Sequence, residues 1–210
     1  MSFHELTFRR PAGGLYALKP TLQRRLHGTA TWLAARRVNP DLLTLCAVVC
    51  AVLGGLALAA GLTRPLLLWA VPPLACLRLA LNALDGMVAT RRDIARPWGK
   101  VLNELCDRLA DLAFLWPLLL VPDASPALVT AALCAMLLVS FLGVLAEAAG
   151  AGRQYGGVMG KADRMLWLAL ASIAAAASGQ LLFLRGLPVV LLVGATLTLI
   201  QRGTRTHAAL

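Results

Sequence analysis

The 210-residue chain has few charged residues, few aromatic residues and only three histidines. Charged residues make up 14% of the chain, whereas soluble domains carry about 25%. Hydrophobic residues make up 59%, and the mean hydropathy is +0.74. A soluble domain of this length needs far more polar side chains on its surface. The composition therefore excludes an ordinary soluble enzyme, a disordered protein and a nucleic-acid-binding domain, and it indicates an integral membrane protein.

Acidic residues are also scarce, since 10 Asp and Glu face 20 Lys and Arg, and the isoelectric point is near 10.5. Membrane proteins collect basic residues in their cytoplasmic loops. A basic face also suits anionic lipid head groups or phosphorylated substrates. The five cysteines lie within apolar runs without Cys-x-x-Cys spacing, which predicts reduced thiols.

Six apolar segments are each long enough to cross roughly 30 Å of hydrocarbon. We place them at 41–62, 66–89, 99–121, 126–149, 163–181 and 186–203. With the N-terminus in the cytoplasm, 16 of the 20 Lys and Arg residues lie on the cytoplasmic side, and only Arg64 and Arg185 lie outside. This distribution predicts six membrane-spanning helices with both termini in the cytoplasm.

Residues 1–40 form a basic leader in front of these segments. The stretch 20–35 places a mainly apolar group on one helical face: Leu22, Leu26, Thr29, Trp32 and Leu33. Arg24 and Arg25 fall on another face, which predicts an amphipathic helix on the membrane surface. We therefore expect an all-α integral membrane protein with a leader at 1–40 and a six-helix domain at 41–210.

Ionisable residues inside a membrane span are costly and mark function by default. The second and third segments carry such residues on one face of each helix: Arg78, Asn82 and Asp85 in the second, and Asn103, Asp107 and Asp111 in the third, with Glu104 beside them. A short loop joins the two helices, so they are antiparallel neighbours. Asn82 and Asp85 in the second segment, and Asn103 and Asp107 in the third, lie on the order of 6–12 Å from the loop. We expect them to face each other at one depth.

Converging carboxylates in a low-dielectric cavity repel each other unless a cation or an arginine neutralises them. Oxygen ligands from Asp, Asn and Glu suit Mg²⁺, Mn²⁺ or Ca²⁺, and they do not suit zinc or copper without His or Cys ligands. Two aspartates carry too little charge for a pair of metal ions, which favours one ion or the recruitment of Glu104 or Asp111. Asp111 lies one turn from Asp107, where it either joins the ligands or pairs with Arg108.

The polar residues form a long motif, which reads Asn82-x2-Asp85-Gly86-x2-Ala89-Thr90-x8-Gly99-x3-Asn103-x3-Asp107. Its spacing resembles that of the CDP-alcohol phosphotransferases, integral membrane enzymes of phospholipid synthesis, whose motif is Asp-x2-Asp-Gly-x2-Ala-Arg-x8-Gly-x3-Asp-x3-Asp. Asn82 and Asn103 replace acids, and Thr90 replaces the arginine, with Arg91 next in the chain. The resemblance to this family also covers the six-helix plan, the leader and the Asn39-Pro40-x-Leu-x-Thr sequence. At these two positions the chain resembles a divergent bacterial branch of the family, in which asparagine is the usual residue.

The resemblance implies transfer of a substituted phosphoryl group, often phosphatidyl, from a CDP-linked lipid to a small alcohol, with release of CMP. It implies Mg²⁺ or Mn²⁺ bound by Asp85 and Asp107, with Asn82 and Asn103 as weaker neutral ligands, and Asp107 as the general base. The residues that it places at the CDP pocket are Gly86, Ala89, Thr90, Arg91 and Gly99. Metal and Arg78 together would stabilise charge on the transferred group. The resemblance also implies a multi-pass protein of the bacterial inner membrane with its active site on the cytoplasmic side, and a homodimer, since family members are commonly homodimers.

A second basic group precedes the fifth segment, in the sequence Gly160-Lys161-Ala162-Asp163-Arg164. It is either ordinary loop charge or an anchor in which Lys161 and Arg164 bind the phosphate of an anionic acceptor or donor. A Gly-Lys-x-x-Arg element at this place also resembles the family. Glu147 is either a partner for Lys161 or a base.

Two other functions stay open at this point. The residues Asn82, Thr90 and Asn103 fit a binding or regulatory relative that keeps the fold without turnover. The intramembrane acids also fit a small ion transporter, although the helices lack the paired broken segments of inverted-repeat transporters.

Overall fold

The computed structural model describes residues 19–210 as a bundle of seven α-helices, and these residues contain no strand. The helices are α1 (Lys19–Ala35), α2 (Pro40–Gly61), α3 (Val71–Arg91), α4 (Pro97–Leu115), α5 (Pro126–Ala148), α6 (Lys161–Ser178) and α7 (Leu182–His207). Short 3₁₀ helices at Pro65–Ala70 and Trp116–Leu120 precede α3 and continue α4. The first 18 residues of the predicted leader, with Arg9 and Arg10, lie outside the described residues.

Proline and capping groups set several helix boundaries. Pro40 is the first residue of α2, where the missing N–H has no intrahelical role. Asn39 precedes it, and its side-chain oxygen accepts a hydrogen bond from the Asp41 N–H at 3.0 Å. Gly179 ends α6 with φ of 69°, a left-handed conformation that glycine adopts without strain.

The six predicted apolar segments correspond to α2 through α7. In the described part of the chain, four helical stretches are long and apolar enough to cross a membrane: Pro40–Gly61, Pro65–Arg91, Pro126–Ala148 and Leu182–His207. The other two, α4 and α6, differ because they carry the charged residues of the motif and of the second basic group. Six spans therefore stay a prediction, whereas the all-helical architecture is confirmed.

The helix α1 packs against α3 at the polar end of the bundle. Ala30 is fully buried there, and Leu26 and Leu33 pack beside it against Leu84. Trp32, expected on the same face as these leucines, is instead 53% exposed, and the guanidinium of Arg36 lies 4.3 Å from its ring centroid. The position of α1 on a membrane surface stays a prediction.

Two glycines let α2 approach α4 closely. A Cβ at Gly54 would overlap the ring of Phe114, and a Cβ at Gly55 would overlap the carbonyl oxygen of Ala113. Small residues at helix crossings allow this close backbone approach. The contact brings the first half of α2, with Thr44, beside the polar faces of α3 and α4.

A buried ion network joins α3, α4 and α6. Asp111 accepts hydrogen bonds from Arg78 Nη2 at 2.6 Å and from Arg164 Nη1 at 2.7 Å. Arg78 is fully buried, and its Nη2 also donates to the main-chain carbonyl of Asp107 at 3.2 Å. Asp111 is thus paired with these two arginines, while Arg108 lies 3.6 Å from Asp107 Oδ2.

Asp111→Asn should strongly destabilise the protein, because two buried guanidinium groups would lose their counter-charge. Breaking a buried pair in this way costs about 3–5 kcal/mol. The matched control is Asp123→Asn, since the pair of Asp123 with Arg185 is largely exposed and contributes little. Melting temperatures in detergent compare both variants with the wild type. Equally small losses in both variants would contradict a stabilising role for the network.

Candidate active site

A cavity of about 1070 Å³ is bordered by α2, α3, α4 and α6 near the loop between α3 and α4. Nine basic and five acidic residues line it. The basic residues are Arg37, Arg92, Arg96, Lys100, Arg108, Arg153, Lys161, Arg164 and Arg202, and the acidic residues are Asp41, Asp85, Glu104, Asp107 and Asp163. This excess of positive charge suits a ligand that carries phosphate groups.

Asp85 lies near the end of α3 and is 6% exposed. Its Oδ2 accepts hydrogen bonds from the Thr44 hydroxyl at 2.7 Å and from the Asn103 amide at 2.6 Å, and its Oδ1 accepts from the Gly86 N–H. All three donors are neutral. In the part of the chain that the structure describes, no basic side chain lies within 4.0 Å of this carboxylate.

Asp107 lies on the facing side of α4 and is equally buried. Its Oδ1 accepts from the Asn82 amide at 2.7 Å, and Lys161 Nζ donates to Oδ1 at 2.9 Å and to Oδ2 at 2.7 Å. Asn82 of α3 thus contacts the acid of α4, while Asn103 of α4 contacts Asp85 of α3. The structure brings together the four residues that were expected to face each other.

The donor set at this point fits a hard divalent cation. It consists of two carboxylates and two amides, and an amide that turns by half a rotation presents its oxygen in place of its nitrogen. Within residues 19–210, no group of three or more His, Cys, Asp and Glu side chains is placed to hold a metal ion. A cation here would therefore depend on Asp85, Asp107 and neutral oxygen ligands.

Two further acids near the motif contact basic partners. Glu104 pairs with Arg153, whose Nη1 also lies 3.1 Å from Glu147 Oε2. Glu147 pairs with Lys100 as well, so its partners are these two residues and Lys161 is not one of them. Burial lowers the pKa of Arg153, but the hydrogen bond and the charge of Glu104 outweigh this effect and raise it. The charged Arg153 therefore joins the loop before α6 to α4.

Most residues that the motif assigned to the substrate line the cavity: Gly86, Ala89, Thr90, Gly99, Lys161 and Arg164. A Cβ at Gly86 would meet no other atom within 4 Å, so this glycine borders open space. Two of the predicted residues do not line the cavity. Arg91 is exposed, and its neighbour Arg92 lines the cavity instead. Arg78 is buried in the ion network beside Asp107.

Other lining residues had no assigned role in the sequence. Thr44 stands in the first-helix sequence that resembles the family, but only the structure shows its contact with Asp85. Asp41 pairs with Arg96 across the cavity rim. Arg202 of α7 donates to three main-chain carbonyls, those of Val139 at 2.6 Å, Gly156 at 2.9 Å and Tyr155 at 3.0 Å. Arg202 lies in the polar last turns of α7, beside Gln201 and near Arg205, so no sequence pattern distinguishes it from ordinary cytoplasmic charge.

Comparison with known proteins identifies one curated relative. The inner membrane protein YnbA of Escherichia coli (strain K12) is 36% identical to this chain over 162 residues, which cover 77% of this chain and 80% of YnbA. No protein-family model matches the chain.

Solved structures share the fold. Phosphatidylinositol phosphate synthase (PgsA1) of Mycobacterium tuberculosis with CDP-DAG bound has a TM-score of 0.71 and 24% identity, over 87% of this chain and 94% of that chain. The same enzyme in complex with manganese and citrate has a TM-score of 0.70 and 24% identity, over 86% and 88%. The chain therefore belongs to one family with YnbA, and it has the fold of phosphatidylinositol phosphate synthase, a CDP-alcohol phosphatidyltransferase, as the spacing of the motif predicts.

Proposed function

We propose that the protein is an enzyme of phospholipid synthesis that transfers a phosphatidyl or other substituted phosphoryl group from a CDP-linked lipid to a small alcohol. The observation that carries this proposal is the pair of buried carboxylates, Asp85 and Asp107, on facing helices in a cavity with an excess of basic residues. The CDP-DAG bound to the neighbouring synthase supports a CDP-linked lipid as donor.

In the proposed reaction, the hydroxyl oxygen of the acceptor attacks the lipid-linked phosphorus, and the bond from that phosphorus to the CMP oxygen breaks. Asp107 accepts the proton of the hydroxyl, and CMP leaves with the electron pair of the broken bond. Gly86 leaves room for the nucleotide beside Asp85. Basic residues of the cavity, among them Arg164 and Arg92, hold the phosphate groups in place.

Asp85 and Asp107 would hold the divalent ion, Mg²⁺ or Mn²⁺, with Asn82 and Asn103 turning their amide oxygens toward it. The chemistry that such an ion supplies when bound is neutralisation of charge on the diphosphate oxygens. The manganese in the neighbouring synthase supports this assignment. Glu104 is held by Arg153 and Asp111 by two arginines, so both are better suited to fixing the helices around the site.

The apolar helices and the relative in the inner membrane indicate a multi-pass inner membrane protein. We further propose that α4 and α6 also cross the membrane, because their charged residues face the buried cavity and the ion network instead of lipid. The ends of the helices that carry most of the basic residues would lie in the cytoplasm. The active site would open on that side.

A second candidate is a family member that binds the CDP-linked lipid without turning it over. The contacts at the carboxylates favour it, because an amide group occupies a hydrogen-bonding position on both Asp85 and Asp107, and the Lys161 ammonium contacts both oxygens of Asp107. Release of CMP from CDP-diacylglycerol, measured with Mg²⁺ and a panel of alcohol acceptors, separates the two candidates. Binding of the lipid with no CMP release under any condition would favour the second.

Asp85→Ala and Asp107→Ala should each lower CMP release about a hundredfold or more, since each variant loses a ligand and a negative charge at the reacting phosphates. Asp93→Asn is the control, because Asp93 is an exposed acid outside the cavity. Melting temperature and size-exclusion elution establish that each variant is folded. Turnover near the wild-type rate in either alanine variant would remove that residue from the site.

Cysteine labelling tests the proposed topology. In a variant without its five native cysteines, Thr90→Cys should react with a membrane-impermeant maleimide only after the inner membrane is opened. Thr63→Cys, an exposed position near the opposite end of the bundle, should react from the periplasm in intact spheroplasts. The reverse pattern would place the active site on the periplasmic side.

A further inference from the structure

The two carboxylates of the site have partners of different charge. Asp107 contacts Lys161 through both oxygens, at 2.7 and 2.9 Å, and Arg108 lies 3.6 Å from its Oδ2. Among residues 19–210, the hydrogen-bond donors to Asp85 are the neutral groups of Thr44, Asn103 and Gly86. Both are 6% exposed, so neither charge is screened by bulk water. Asp85 therefore carries the buried negative charge without a directly bound counter-charge.

Lys161 is held in this position by the start of α6, of which it is the first residue. The Asp163 carboxylate accepts from the Gly160 N–H at 3.0 Å, and Thr198 Oγ1 accepts from the Met159 N–H at 2.9 Å. These contacts fix the turn from which the lysine side chain reaches α4. A cation at a helix N-terminus opposes the helix dipole, so its contact with Asp107 is the interaction that favours a lysine here.

The neutral residues Asn82 and Asn103 limit the charge that the site offers to cations. Asp85 and Asp107 contribute two negative charges, and Lys161, with Arg108 farther away at 3.6 Å, offsets the charge of Asp107. One divalent ion is compatible with the remaining charge, whereas a second ion would meet the ammonium group at Asp107. Like charges at such short distance in a buried site repel each other strongly.

We propose that Lys161 supplies at Asp107 the positive charge that a second divalent ion would otherwise supply, so that the cavity binds one divalent ion per chain, with Asp85 as its firmer carboxylate ligand. Lys161 then competes with divalent ions for Asp107. This inference rests on the proposed function only in placing a divalent ion at the carboxylates, and it concerns binding, not turnover.

Mn²⁺ binding to the purified full-length protein in detergent tests the proposal without any substrate. Electron paramagnetic resonance of free Mn²⁺ gives stoichiometry and affinity. We expect one Mn²⁺ per wild-type chain. Lys161→Met should raise the affinity about tenfold or add a second Mn²⁺, because it removes the competing charge. Lys161→Arg, which keeps the charge, should bind Mn²⁺ as the wild type does.

The matched control is Lys100→Met. Lys100 also lines the cavity and forms an ion pair, but its partner is Glu147. The substitution removes the same charge, and Mn²⁺ affinity should stay within about twofold of the wild-type value. An equal gain in both methionine variants would overturn the proposal, because it would reveal only a general effect of net charge.

Two further results would also overturn it: two Mn²⁺ per wild-type chain, or a Lys161→Met variant that folds and binds Mn²⁺ no more tightly. If Lys161→Met fails to fold, the wild-type stoichiometry still tests the proposal, because two Mn²⁺ per wild-type chain would overturn it. Failure of the proposed function is a separate result, since an absence of CMP release leaves the Mn²⁺ stoichiometry and the effect of Lys161→Met unchanged.

Discussion

Asp111 is the shared counter-charge of two guanidinium groups inside an apolar helix bundle, and the geometry of the site depends on it. Arg78 comes from α3 and Arg164 from α6, so the carboxylate on α4 draws both helices toward itself. Arg78 also donates to the main-chain carbonyl of Asp107, one turn away. Buried charges of this kind are costly without partners, which restricts how the three helices slide or rotate. That restriction places Lys161 against Asp107.

The Asp85 carboxylate is positioned through an apolar contact between α2 and α4. Gly54 and Gly55 let α2 lie against α4 at Phe114, and the same helix carries Thr44 to the Oδ2 of Asp85. Asp85 is therefore held by neutral donors and close helix packing, and Asp107 by the charged Lys161 together with the neutral Asn82. The difference in local charge between the two acids follows from which helices surround them.

The sequence was sufficient for features that depend on local periodicity. Apolar length predicted the helices, and residues three and four apart predicted that Asn82 and Asp107 would share one face with their motif partners. Contacts such as that of Lys161 with Asp107, 54 residues apart, depend on how α6 packs on α3 and α4, which no local pattern encodes. The motif predicts Arg91 at the cavity, whereas the structure has Arg92 there. One residue rotates a helical side chain by about 100°, so spacing alone does not fix direction at a helix end.

Both charged and apolar side chains line the cavity. Asp85 lies six residues before the end of α3, about 9 Å along the helix, so its ligands must reach into the bundle. Leu22 of α1, Leu79 and Ile94 line the same space as Lys161. A soluble nucleotide would leave these apolar side chains in contact with water. A diphosphate joined to lipid chains would contact the charged residues through its phosphates and the apolar side chains through its lipid chains. The residues that line the cavity are thus compatible with the lipid-linked donor that we propose.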